Sequence, residues 1–171
     1  QLSKLIEQGE SDTLEFKAST TQLKSALETI CAFLNKDGGI LLFGVTDQKK
    51  IIGQSVADKT KQEIAFELGK IEPPAQVDVE YVSINQDKQV IVFNVSKGMH
   101  APYVYNGRPF QREQSITKKM SQQKYDQLVS NRTQLNFSWE KHSAKNYNVD
   151  DYTAENVKSV KSCYKEKEVS K

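Results

Sequence analysis

The sequence predicts a fold that combines helices with strands around a single core. The chain has 171 residues, of which 37% are hydrophobic and 27% charged, as in one soluble globular domain. Apolar residues recur at helical spacing in some segments and alternate with polar residues, as in strands, in others. The longest apolar run, residues 40–45, is too short to cross a bilayer, so we expect no membrane association.

The first part of the chain predicts two helices and two strands. A short helix with Leu and Ile at helical spacing begins the chain and ends at Gly9. Alternation over residues 13–17 predicts a half-buried strand in which Glu15 faces outward. A 3.6-residue apolar period predicts an amphipathic helix over residues 21–36. Residues 40–46 are apolar on both faces, which predicts a strand in the middle of a sheet.

The rest of the chain predicts further helices, two hairpins and a polar extension. The expected elements are a helix over residues 64–71, a hairpin of residues 76–84 and 89–95, a smaller hairpin across Asn106 and Gly107, a helix over residues 121–129 with Ser121 as its N-cap, and an extended segment over residues 135–139. We place the domain at residues 1–131. Residues 132–171 are rich in Lys, Glu and Ser, so we expect an extension or a connector to a further domain.

The charged residues are unevenly distributed along the chain. Residues 1–96 carry 10 basic and 14 acidic side chains, residues 97–145 carry 9 and 3, and residues 146–171 carry 5 and 5. Clustered Arg and Lys neutralise phosphates and release their counterions, which favours a nucleic-acid partner for the middle segment. A basic segment is equally typical of an ordinary solvated surface.

Cations and aromatic residues are interleaved around the smaller hairpin. The cations are Arg108, Arg112, Lys118 and Lys119, and the aromatic residues are Tyr103, Tyr105 and Phe110. Cationic groups contact phosphates and aromatic rings stack on bases, so this combination predicts a groove for DNA or RNA. Tyrosines half-buried on a hairpin, with lysines that keep it soluble, would give the same composition.

Three carboxylates flank two of the predicted strands. Glu10 precedes the first strand, Glu15 lies within it, and Asp47 follows the central strand. If these strands are neighbours, the three side chains could hold Mg²⁺ or Mn²⁺ through oxygen ligands, and the ion could activate water against a phosphodiester. Lys17, on the strand face of Glu15, could then stabilise phosphoryl charge. Ordinary turns and caps also explain these acids.

Motifs of several other protein classes are missing from the sequence. It contains neither a Walker pattern nor a Gly-x-Gly-x-x-Gly turn, so we expect no phosphate loop in this chain. His100 and His142 lack the spaced partners of a zinc site. Cys31 and Cys163 lie far apart without Cys-x-x-Cys spacing, so we expect a cytoplasmic protein without a disulfide framework.

Several linked motifs resemble the Schlafen-type AlbA-like domain, also called AlbA_2. They are residues 10–17 (ESDTLEFK), residues 30–47 (ICAFLNKDGGILLFGVTD), Ile52-Gly53, Ala101-Pro102-Tyr103 and Phe110-Gln111-Arg112. The resemblance covers roughly residues 2–131, with the motifs in the order and spacing of that family. Several linked motifs are far more specific than any one of them.

The resemblance implies an α+β fold with a mixed β-sheet and two main packed helices. In prokaryotic proteins such domains are described as DNA-binding modules of transcriptional regulators or of chains labelled as ATP-binding. Eukaryotic Schlafen relatives include endoribonucleases that act on transfer RNA, and their metal-binding triad matches Glu10, Glu15 and Asp47. Those nucleases use two related lobes, so this one-lobe chain would form a homodimer to build a comparable clamp.

Three functions remain open from the sequence. The first is nucleic-acid binding without a cofactor, in which Lys17, Arg108, Arg112, Lys118 and Lys119 contact phosphates while Tyr103 and Tyr105 stack on bases. The second is a nuclease that requires Mg²⁺ or Mn²⁺, with Glu10, Glu15 and Asp47 as ligands and Lys17 as a catalytic cation. The third is a protein-interaction or dimerisation domain whose basic surface is incidental.

Overall fold

The computed structural model describes residues 2–136, and the part up to Ser130 forms one compact unit. The helices are α1 (Leu2–Gln8), α2 (Leu23–Leu34), α3 (Asp58–Leu68) and α4 (Gln122–Asn136). The strands are β1 (Leu14–Lys17), β2 (Gly39–Phe43), β3 (Ile71–Glu72), β4 (Val77–Ser83), β5 (Gln89–Val95), β6 (Val104–Tyr105), β7 (Arg108–Glu113) and β8 (Ile116–Lys119). Within these residues, no helix has the length and apolar character that crossing a bilayer requires.

The strands form two four-stranded sheets. The first sheet has the order β1-β2-β5-β4, in which β1 and β2 are parallel and the other pairs antiparallel. The second sheet has the order β3-β6-β7-β8 and is antiparallel throughout. This arrangement confirms an α+β fold with a mixed sheet, and it places β2 in the middle of its sheet as the sequence predicts.

Helix α2 lies at the centre of the larger core. Nine of its 12 residues are buried. The larger core is a cluster that combines α2 with apolar residues of both sheets. Leu41 and Phe93 come from the first sheet, and Tyr105 and Phe110 come from the second. The opposite face of the first sheet carries a smaller cluster in which Ile6 of α1 packs with Phe16 and Leu42.

Asn35, at the end of α2, attaches the second sheet to this helix. Its Nδ2 donates hydrogen bonds to the carbonyl oxygens of Tyr103 at 2.9 Å and Phe110 at 3.0 Å. Its Oδ1 accepts a bond from the amide of Tyr103 at 2.6 Å. One side chain therefore satisfies three backbone groups, and it fixes the position of β6 and β7 relative to the core.

Most of the expected elements are present, with four differences. Ser121 caps α4 as predicted, since its Oγ accepts the Lys124 amide at 3.3 Å. The differences are that Ile71 belongs to β3 rather than to the preceding helix, that β8 was not expected, that Glu15 is buried, and that residues 135–136 are helical. Residues 137–139 of the expected extended segment lie outside the described residues, as does nearly all of the predicted extension 132–171.

The thiol of Cys31 is expected to be unreactive in the folded protein. Burial raises the pKa of this thiol to about 12, and its Sγ donates to the carbonyl of Tyr103 at 3.3 Å. In a Cys163→Ser variant, which leaves Cys31 as the one thiol, iodoacetamide should label the protein only after denaturation. Mass spectrometry of native and urea-treated samples measures this. Equal labelling of both samples would contradict the buried position.

Candidate nucleic-acid interface

Two cations of the second sheet project from the same face of adjacent strands. Phe110 on β7 pairs with Lys119 on β8, and Arg108 lies two residues before Phe110 on the same strand. Side chains two residues apart on a strand share a face, so Arg108 lies on the face of Phe110 and Lys119. Arg108 and Lys119 are therefore diagonal neighbours, with roughly 7–8 Å between their Cα atoms. Both residues are exposed, although Phe110, which shares this face, packs in the core around α2, so Arg108 and Lys119 lie at the solvent-accessible margin of the face.

Lys118 lies on the opposite face of β8 from Lys119. It is exposed, and its Nζ forms an ion pair with Oε2 of Glu113 at 2.5 Å. Both partners are about half exposed, so water screens this pair and its contribution to stability is small. Lys118 can therefore exchange this partner for a phosphate at small cost, although its orientation separates it from Arg108 and Lys119.

Two further lysines, Lys70 and Lys24, lie near this surface and were not identified as candidate contacts from the sequence. The carbonyl of Lys70 accepts the Asn106 amide at 3.4 Å, so Lys70 lies beside the β6–β7 turn that precedes Arg108. Lys24 of α2 lies close enough to Glu67 for its charge to lower the pKa of that carboxyl. Both lysines are distant from Arg108 in the sequence. Lys70 comes close to Arg108 only through strand pairing, which no local sequence pattern predicts.

Glu67 forms a buried network next to these cations. Its Oε2 accepts a hydrogen bond from Tyr105 Oη at 2.5 Å, and its Oε1 pairs with Lys70 Nζ at 2.6 Å. Burial raises the pKa of Glu67, but the hydrogen bonds from Lys70 and Tyr105 outweigh it and the net shift is downward. Burial, followed by the bond to Glu67, raises the pKa of Tyr105. The network therefore holds a neutral phenol against a carboxylate whose charge Lys70 compensates.

The structure places three of the expected nucleic-acid contacts in the interior. Tyr103 and Tyr105 are each 3% exposed, and the guanidinium side chain of Arg112 is fully buried. The rings pack in the core around α2, so neither offers a face on which a base could stack. Arg112 likewise cannot reach a phosphate from this position. We therefore correct the expectation for these residues and assign them to the support of the second sheet.

Glu15 is the partner of Arg112 rather than an outward-facing acid. Its Oε2 lies 2.6 Å from Arg112 Nη2, and its Oε1 pairs with Nζ of Lys17. The guanidinium also donates to Thr117 Oγ1 at 2.9 Å and to the carbonyl of Ser11 at 2.8 Å. The carboxylate is buried because two cations neutralise it, which the alternating pattern of β1 does not reveal.

The three expected metal ligands do not form a cation site as placed. Glu10 Oε1 accepts the Phe16 amide at 3.0 Å, and Asp47 is exposed in the turn after β2. Both oxygens of Glu15 face cations, which would repel a divalent ion. Among residues 2–136, no group of three or more His, Cys, Asp or Glu side chains is arranged to hold a metal. The metal-dependent activity stays a prediction from the sequence.

These features define an α+β domain with an exposed cationic surface on its second sheet. The chain belongs to the Schlafen, AlbA_2 family, whose sequence model matches residues 10–121. This match agrees with the resemblance of the linked motifs, all of which lie within residues 10–121. A comparison with curated proteins gives no match.

One solved structure shows the same fold at low sequence identity. The N-terminal domain of a RecG-related protein from Nitrosomonas europaea, described as a candidate ATP-dependent DNA helicase, is 19% identical with a TM-score of 0.50. The similarity covers 71% of this chain and 92% of that domain. The DIP2311 protein from Corynebacterium diphtheriae is 16% identical with a TM-score of 0.47, over 66% of this chain and 26% of its own.

Proposed function

We propose that this domain binds nucleic acid through the exposed cations of its second sheet. The observation that carries the proposal is the pair of Arg108 and Lys119, which are exposed on one face of adjacent strands. Lys70 extends this surface on one side, and Lys118 adds a charge on the other face of β8. Membership of the AlbA_2 family and the name of the helicase-related structural neighbour support the same function.

The proposed contacts are to phosphates and carry no sequence preference. Arg and Lys side chains on a sheet neutralise the backbone of either DNA or RNA, and the release of counterions supplies most of the affinity. Lys17 has a smaller part than the sequence suggests, because its side chain is mostly buried and paired with Glu15. Metal is not required for such binding, so binding should persist in EDTA.

A variant with Arg108→Gln and Lys119→Gln should bind single-stranded and duplex oligonucleotides about tenfold more weakly at low salt. Each lost phosphate contact should also reduce the slope of log K against log salt by roughly 0.7–0.9, so the slope should fall by about 1.6 in total. Fluorescence anisotropy at several salt concentrations measures both quantities.

The matched control is Lys4→Gln with Lys88→Gln, since these lysines are exposed on α1 and in the loop between β4 and β5, and the net charge changes equally. This control should retain most of the affinity. Equal losses in the two variants would mean that net charge alone attracts the polymer, and the proposal for this surface would fail. Cleavage products that vanish with EDTA would favour the nuclease, whereas no binding at all, with a dimer in light scattering, would favour the protein-interaction domain.

A further inference from the structure

We infer that Phe66 is a stacking site for an unpaired base, next to the cationic surface proposed above. The side chain lies on α3 and is 67% exposed, which is unusual for a phenylalanine in a folded domain. It borders a cavity of about 540 Å³ that lies between α3 and the start of α2. This inference rests on the proposed nucleic-acid binding, and it predicts that the domain prefers single strands to duplexes.

The cavity beside Phe66 has the polar groups that a nucleotide requires. The start of α2 and the turn before it line the cavity with three hydroxyl-bearing residues, Thr20, Thr21 and Ser25, together with Lys24. Its volume falls in the range of pockets that hold small organic ligands. A base on the Phe66 ring would therefore have hydrogen-bonding groups for its sugar and a cation for its phosphate within the same cavity.

Phe66 is also continuous with the cations of the second sheet. Lys70 Nζ lies 4.4 Å from the centroid of the Phe66 ring, and the Lys70 carbonyl accepts the amide of Asn106 in the β6–β7 turn. Arg108 follows that turn and pairs with Tyr105, whose neighbour across the sheet is Ile71. A single strand could thus contact Arg108 and Lys70 with its phosphates while one base reaches Phe66.

The acidic groups at this cavity are already compensated. Glu63 pairs with Lys59 at 3.9 Å, and Glu67 is bonded to Lys70 and Tyr105. A cationic peptide would therefore find little unpaired negative charge here. Lys24, which lines the cavity outside these two pairs, leaves a net positive charge that suits a polyanion. This favours a nucleic acid as the occupant.

The distribution of exposed apolar side chains argues against a protein partner at this place. Among the described residues, the other large exposed ones are Ile84, Met99 and Ile116, which lie on other elements. Protein-binding surfaces usually present several such side chains in one contiguous patch. One aromatic ring between hydroxyls and lysines is instead typical of proteins that stack bases of single strands.

Stacking on Phe66 requires a base that is free of its partner. In a duplex each base is enclosed between its neighbours, and its extrusion costs the energy of unstacking and unpairing. The domain should therefore prefer single strands to duplexes of the same length, with little discrimination among bases, because every base has a ring face. The cations of the second sheet would attract both kinds of strand.

Phe66→Ala should lower the affinity for fluorescein-labelled oligo-dT about tenfold and change the affinity for a dA·dT duplex of the same length less than about twofold. Phe66→Leu should lose the same affinity, because it keeps an apolar side chain without a ring. Phe66→Trp should retain the affinity of the original chain. Met99→Ala, which removes another exposed apolar side chain, should bind normally, and thermal melting checks that all four variants are folded.

Each outcome separates this inference from the proposed function. If the original chain binds oligo-dT and Phe66→Ala binds it equally well, the stacking site is wrong while the cationic surface stands. If Phe66→Ala loses oligo-dT and duplex equally, the ring only positions Lys70, and the inference is again overturned. If the original chain binds neither probe, nucleic-acid binding itself fails and the inference fails with it.

Discussion

Arg112→Met should lower the free energy of unfolding by about 3–5 kcal/mol, because it leaves a buried carboxylate with half of its compensation. The guanidinium is completely buried and pairs with Glu15 at 2.6 Å. It also holds Thr117 of β8 and the carbonyl of Ser11. Methionine fills a similar volume but supplies neither charge nor donors, so Glu15 keeps only Lys17 as its partner.

Urea denaturation followed by circular dichroism measures this loss, with Arg108→Met as the matched control. Arg108 lies on the same strand but is exposed, so its replacement should change the free energy of unfolding by no more than about 0.5 kcal/mol. Adding Glu15→Gln to Arg112→Met should recover part of the stability, because the uncompensated charge is then removed. Similar losses in Arg112→Met and Arg108→Met would show that the buried pair adds no more to the free energy of unfolding than an exposed arginine does.

Asn35→Ala should cost about 3 kcal/mol of stability, since it leaves three backbone groups without their hydrogen bonds. The groups are the amide and carbonyl of Tyr103 and the carbonyl of Phe110, which the side chain of Asn35 bonds at 2.6–3.0 Å. Alanine would also leave a space that water fills imperfectly. Because these bonds attach β6 and β7 to α2, the second sheet should loosen before the first.

Asn94→Ala is the control for this prediction, because the Asn94 side chain bonds an exposed Glu80 carboxylate at 3.2 Å. It should cost no more than about 0.5 kcal/mol in the same urea titration. Hydrogen exchange of the β7 amides relative to the β5 amides then tests the order of loosening. A loss in Asn35→Ala no larger than that in Asn94→Ala would contradict the anchoring role.

Local patterns are sufficient to predict the main elements of this fold. The apolar side chains of α2 repeat every 3.6 residues, apolar and acidic residues alternate over Val77–Tyr81 of β4, and β5 carries a continuous apolar run over Val90–Phe93. Strands β3 and β8 have no such signal, because they contain only two and four residues. β3 forms by pairing with the distant strand β6, whereas β8 pairs with the adjacent strand β7 across the turn of residues 114–115. Ile71 was assigned to a helix because it continues the helical spacing of α3.

The candidate site was harder to predict than the fold, because burial there depends on distant partners. Glu15 and Arg112 each resemble solvent-facing residues of short strands, and only their pairing allows both to be buried. Tyr105 is drawn into the core by its bond to Glu67 on another element. Arg108 and Lys119 were recognised as cations, whereas the exposure of Phe66 beside Lys70 required the packing of α3 to be known.

The position of α2 between the two sheets has a consequence for association. The strands that carry Arg108 and Lys119 pack on this buried helix, so the core fixes their backbone, which a free loop would leave unfixed. A polymer that docks on them would meet charges that are already fixed in place, and little backbone entropy would be lost on docking. The affinity of such a preorganised surface is limited mainly by side-chain ordering and by the competing salt.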